Sequence, residues 1–137
     1  MKEKNEKEKF ENFIKWEQKS RDTIDVKKCY IDIAGDLVAG VLLSQIIYWF
    51  LPSNNGGSKL RVKKDGKYCI AKNRNDWFNE CRISPKQYDR AIKILKKNKL
   101  VSVSNGMFNA KRTPHIFLNI ERIVEDLNSK NESNGIP

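Results

Sequence analysis

The chain has 137 residues, 39% apolar and 32% charged, which is enough hydrophobic material for one small core and too little chain for two domains. Lysine and arginine total 27 against 17 acidic residues, and the resulting net charge of +10 favours a polyanionic partner. Three cysteines without a CxxC pair argue against a disulfide framework or a cysteine zinc site, and a single histidine excludes a multi-histidine site, so no metal or cofactor is expected.

The charge is unevenly placed. Residues 59–115 hold 16 basic and 4 acidic side chains, residues 1–58 hold 9 of each, and residues 116–137 hold 2 basic and 4 acidic. The middle of the chain therefore carries the whole excess. A lysine-rich surface that only keeps a protein soluble is the plain alternative, but a field confined to one segment points to an anion-binding surface.

Residues 1–29 are expected to form a charged N-terminal arm or helix. Residues 2–8 contain no apolar side chain, whereas Phe10, Phe13 and Ile14 have the spacing to dock residues 8–20 on the core or on a second copy. The Lys/Glu alternation occupies the place where a secretory signal would put an apolar stretch, so a cytoplasmic protein is expected. Tyr30, Ile31 and Ile33 read as a short extended or turn segment that begins a domain spanning 30–127. Leu37 to Leu51 falls short of the roughly 20 apolar residues of a membrane span. It is predicted to be a core helix from about Asp36, whose carboxylate suits an N-terminus, to about Phe50, buried nearly all round, with no membrane as partner.

Pro52 to Ser58 is a loop by composition, and Asp65-Gly66 predicts a hairpin of Lys59–Lys64 with Lys67–Ala71. Asn73 is expected to cap a short helix, with Asp76 at its third position and Trp77 and Phe78 facing inward. The strongest local signal is Ser84-Pro85-Lys86-Gln87: a capping serine, proline at the first helical position and glutamine completing a capping box. A helix from Pro85 to about Asn98 follows. Val101 and Val103 begin a strand, Asn105-Gly106 starts a turn, and Ile116 and Leu118 lie on a second strand. The polar residues 128–137 are expected to be a disordered tail. Two helices joined by a tight turn and followed by a two-stranded wing define the expected fold class, an α+β winged helix-turn-helix.

On the helix from Pro85, Tyr88, Ala91, Ile92 and Leu95 share one side, and Lys86, Arg90, Lys93 and Lys97 share the other. The second helix of a helix-turn-helix enters the major groove of DNA. Ser84 stands at its start, Gln87 and Arg90 would read base edges, and Lys93 and Lys97 would neutralise phosphates. A merely solvated face is the alternative. In the wing, Asn105, Asn109, Lys111, Arg112 and Thr113 suit a backbone or minor-groove contact, although an ordinary hairpin loop favours the same residue types. The Lys59–Lys67 hairpin is a third cationic segment.

Gly40-Val-Leu-Leu-Ser-Gln-Ile-Ile-Tyr-Trp49, Asp65-Gly-Lys-Tyr-Cys-Ile-Ala-Lys72, Trp77-Phe-Asn-Glu-Cys-Arg-Ile-Ser-Pro-Lys-Gln87, Asn98-Lys-Leu-Val101 and Asn109-Ala-Lys-Arg-Thr-Pro-His-Ile116 follow one another in this order. Together they resemble the winged-helix domain of phage and mobile-element replication proteins of Gram-positive bacteria, related to the amino-terminal domain of the primosome protein DnaD. The similarity covers roughly residues 30–123. It implies DNA binding in replication or maintenance of a phage, plasmid or integrated element, with a replication or relaxation protein as a further partner. Helicase loading, which relatives place in a second domain, is not carried over. Arg82 stands in the turn where members of that family carry glycine, so a left-handed backbone there would cost more.

No catalytic arrangement is present in the sequence. There is no Gly-rich phosphate loop, the acidic residues form no paired motif, and His115 reads as an ordinary strand residue. The expectation is a non-enzymatic, sequence-specific or semi-specific binder of double-stranded DNA. The alternatives are a repressor of its own operon or a protein-interaction module that docks an acidic partner.

Overall fold

The apolar run after Asp36 becomes the centre of the molecule. Asp36 is extended and its carboxylate accepts the Ala39 N–H at 3.0 Å, which starts helix α3, Leu37–Phe50. Ala39, Leu42, Leu43 and Ile46 are fully buried. The ends are not: Leu37, Tyr48 and Leu51 are exposed, so burial all round holds only for the middle turns, which the neighbouring elements cover.

The computed structural model describes residues 2–130 and 136. Before α3 come helices α1, Lys2–Lys19, and α2, Lys28–Ala34; after it come strands β1, Val62–Lys64, and β2, Lys67–Ala71. Helices α4, Phe78–Cys81, and α5, Pro85–Lys97, lead to strands β3, Val101–Phe108, and β4, Lys111–Leu118, and to helix α6, Ile120–Lys130. The strands form one antiparallel sheet in the order β1-β2-β4-β3, and the fold is α+β. The core lies between α3, α5 and the sheet, filled by Leu42, Leu43, Ile46, Trp77, Leu95, Leu100 and Ile116. No single helix among the described residues is long and apolar enough to cross a membrane.

Several local expectations change in the fold. Tyr30, Ile31 and Ile33 belong to α2, not to an extended segment. Two isoleucines favour an extended chain locally, but α2 packs so closely on α3 that a Cβ on Gly40 would lie 2.6 Å from the Ile31 Cα. Tertiary burial overrides the local preference. Asn73 does not cap a helix: its Oδ1 accepts the Asn75 N–H at 2.8 Å and its own N–H donates to Asp76 Oδ2 at 3.0 Å, forming a turn before α4. Trp77 is fully buried, whereas Phe78 points outward and is exposed.

The β1–β2 hairpin closes at Asp65-Gly66, both at positive φ, as expected. The second turn lies elsewhere than predicted. Asn105 and Gly106 are inside β3, opposite Pro114 and Thr113, and the chain reverses at Asn109-Ala110, both at positive φ. Gly106 serves packing, because a Cβ there would come within 2.9 Å of the His115 ring.

Helix α6 lies where no element was expected. Asn119 Oδ1 accepts the Arg122 N–H at 3.2 Å, Ile123 is buried, and Lys130 Nζ donates to the Asp32 carbonyl of α2 at 3.0 Å. Residues 128–130 are thus its last turn and no tail, and Ile136 pairs with both ends of the Asn128 amide. The rest of the expected tail, 131–135 and 137, lies outside the described residues, as does Met1. The arm is helical but its apolar side chains do not dock on the core: Phe10 is 62% and Trp16 60% exposed, with Phe13 and Ile14 also exposed.

Candidate nucleic-acid interface

The amino-terminal end of α5 is built as the sequence requires. Ser84 Oγ accepts the Gln87 N–H at 3.2 Å, Gln87 Oε1 accepts the Ser84 N–H at 2.8 Å, and Pro85 fills the first turn. At the other end Lys99 takes a left-handed φ of +62°, its N–H bonds the Lys96 carbonyl at 3.0 Å and the Leu100 N–H bonds the Leu95 carbonyl at 3.0 Å. Those two bonds close a Schellman motif.

Tyr88, Ala91 and Leu95 are buried, and the Tyr88 ring stacks on Trp77 at 6.2 Å. Burial, with a smaller contribution from the Asp89 charge, pushes the Tyr88 phenol up to about 12. The turn that sets α5 against α4 centres on Arg82, which adopts the left-handed conformation at φ +61°. The backbone there is the one a glycine would take. Its cost is offset only in part by the guanidinium, which donates to the Phe78 carbonyl at 3.1 Å and lies 5.1 Å from the Phe78 ring.

Lys86, Gln87, Arg90, Lys93 and Lys97 are all exposed on the outer side of α5, but they differ in what they are free to do. Arg90 holds both oxygens of Asp36, at 2.7 and 3.2 Å, tying α5 to the cap of α3. The Arg90 hydrogen bond first, and the Ala39 N–H second, hold the Asp36 carboxyl below the usual carboxylate range. Gln87 Oε1 is used in the capping box, and so is the Ser84 hydroxyl. The residues expected to read bases are therefore bound within the protein. Lys86, Lys93 and Lys97 form no ion pair among the described residues, and Asp89, the helix's acidic residue, is neutralised by Arg74 through two bonds of 3.0 and 2.6 Å.

In the β3–β4 hairpin, Asn109 sits at the tip and Lys111 and Arg112 are exposed beside it. Thr113, expected to be a contact, is not available as one. It is 6% exposed, and its hydroxyl donates to the Lys111 carbonyl at 3.1 Å, so it serves the hairpin and is closed to an outside ligand. Burial follows from its place on β4 opposite Gly106, on the side chains' inner face with His115. His115 Nδ1 lies 2.8 Å from the Thr113 carbonyl, as a packed strand residue. Among the described residues no three His, Cys, Asp or Glu side chains are arranged to hold a metal ion.

Beneath this surface a polar bracket joins α3 to α4. Glu80 forms an ion pair with Lys72 and accepts the Trp49 Nε1–H at 2.7 Å, while the Lys72 amine lies 4.4 Å from the Trp49 ring and 4.7 Å from Trp77. Burial lowers the Lys72 pKa, with Asp76 and Cys81 opposing. Neither this bracket nor the Asp36–Arg90 pair carries a sequence signature, because Trp49 and Glu80 lie 31 residues apart and Asp36 and Arg90 lie 54 apart.

Comparison with known proteins returns no match to a family model, to a curated protein or to a solved structure.

Proposed function

We propose that this chain is a winged helix-turn-helix protein that binds double-stranded DNA through the outer side of α5. The observation that carries this reading is the set Lys86, Lys93 and Lys97, exposed and unpaired among the described residues, on the side of α5 opposite buried Tyr88, Ala91 and Leu95. The succession of α4, the Arg82 turn, α5 and the β3–β4 hairpin supports the helix-turn-helix assignment, with Lys111 and Arg112 as wing contacts. Because Gln87 and Arg90 are held internally, phosphate contact dominates, and the binding is semi-specific until DNA displaces Asp36 from Arg90. A role in replication or maintenance of a phage, plasmid or integrated element rests on the sequence resemblance.

The test is duplex affinity over a salt series for the combined variant Lys86→Ala, Lys93→Ala and Lys97→Ala, with circular dichroism to check folding. Binding should weaken on specific and random duplex alike, and the salt slope should flatten by about 0.9 for each phosphate no longer neutralised. A folded triple variant that binds as tightly as the wild type overturns the reading and favours a module that docks a protein.

A further inference from the structure

The cationic hairpin β1–β2 is not accounted for by duplex binding on α5. Between it, the carboxyl-terminal end of α5 and the start of β3 lies an open groove of about 870 Å³. Tyr68 and Phe117 line it, together with Lys64, Lys67, Lys96 and Lys99. Tyr68 is 41% exposed, and Lys63 lies over its ring at 4.7 Å. Lys64 anchors the hairpin across the sheet by donating to Ser104 Oγ at 3.1 Å and to the Asn105 carbonyl at 3.4 Å. Lys67, Lys96 and Lys99 are exposed and enter no ion pair among the described residues. The carboxylate at the groove is Asp65, in the hairpin turn, so the cations outnumber it.

Aromatic walls with a rim of amines match one ligand chemistry. Unpaired bases offer flat faces to aromatic rings, and the phosphates between them suit ammonium groups. A duplex buries its base faces in its own stack and gains nothing from the rings. An acidic peptide would satisfy the lysines and leave Tyr68 idle. Lys96 also lies about 60° to 100° around α5 from Lys86, Lys93 and Lys97 by helical geometry, and of these four only Lys96 lines the groove, so the two surfaces are distinct.

We infer that this groove is a binding site for single-stranded DNA, with bases stacked on Tyr68 and Phe117 and phosphates held by Lys67, Lys96 and Lys99. The site is independent of the duplex reading, and each has its own ligand in the test. The full chain is titrated into a labelled oligothymidylate of about 10 nucleotides, inside the span of known single-strand sites, and separately into a labelled duplex. Tyr68→Leu, which keeps side-chain bulk without a ring, should weaken oligonucleotide binding about tenfold, whereas Tyr68→Phe should bind as wild type. Lys67→Ala, Lys96→Ala and Lys99→Ala combined should flatten the single-strand salt slope by about 2 in total, at about 0.7 per phosphate, and leave duplex affinity unchanged. The variant lacking Lys86, Lys93 and Lys97 should behave in the opposite way. The inference is overturned if wild-type protein does not bind the oligonucleotide, or if Tyr68→Leu binds it as tightly as Tyr68→Phe. Weaker binding in the lysine variant alone, with Tyr68→Leu unaffected, also overturns it, because the contact is then one of charge without base stacking.

Discussion

Helices α1 and α5 are both rich in lysine and both carry apolar residues at helical spacing, yet the protein uses them in opposite ways. In α5, Tyr88, Ala91 and Leu95 are buried and the cations gather on the far side. In α1, Phe10, Phe13, Ile14 and Trp16 stay exposed, and lysines alternate with glutamates. The difference lies in what flanks each helix. The Arg82 turn and β3 bracket α5 and press it on α3, whereas residues 20–27, which follow α1, have no regular structure. An amphipathic pattern becomes core only where the adjoining chain returns its face to other apolar groups. The charge arrangement differs as well: alternating signs on α1 cancel within a Debye length, while the segregated lysines of α5 produce a field.

The strongest way to sharpen this contrast is to cut one apolar side chain from each helix. Leu95→Ala should cost about 2–5 kcal/mol, the range for a buried leucine, whereas Phe13→Ala should stay within about 0.5 kcal/mol. Denaturant titration of both variants measures the gap. Equal losses would mean that α1 is packed in solution.

A middle-sized effect is expected at Asp36, which caps α3 and holds Arg90. Asp36→Ala should cost about 0.5–2 kcal/mol near neutral pH for the lost cap. The Asp36 carboxyl is depressed in the folded protein, so its contribution is present above the unfolded carboxylate value and is lost as pH falls through the lower folded value. The wild-type and variant stability curves should therefore converge in acid. The same change frees Arg90, so duplex affinity at neutral pH should rise while stability falls. A fall in both would show that the ion pair positions α5 for binding.

Arg82→Gly removes the left-handed strain at the head of α5 and also removes the bond to Phe78. The net expectation is a gain of about 0.5–1 kcal/mol, read as a higher melting temperature. The smallest effect belongs to α1: deleting residues 1–8 should shift stability by less than about 0.5 kcal/mol, since α1's apolar residues lie beyond the cut and are exposed. A large drop in melting temperature would break the comparison.

At three places a local signal alone determined the outcome, although the Asn73 cap and the Asn105-Gly106 turn, equally local, did not form. Asp36 as a cap, the Asp65-Gly66 turn and the Ser84-Pro85-Gln87 capping box depend on neighbours within three residues, and all three formed as expected. Helix α6 had a local signal that the sequence reading passed over: Ile120, Ile123, Val124 and Leu127 have helical spacing behind the capping Asn119. Only the tertiary structure decided the rest. Ile31 and Ile33 turned helical because Gly40 allows α2 to approach α3, and Gly106 stayed inside β3 because His115 occupies the space beside it. The candidate interface divides along the same line. Helical periodicity placed Lys86, Arg90, Lys93 and Lys97 on one side of α5, but Asp36, 54 residues away, withdrew Arg90, and strand register buried Thr113. Hydrogen bonds and packing between distant segments leave no trace in spacing, so they became visible only when the chain closed on itself.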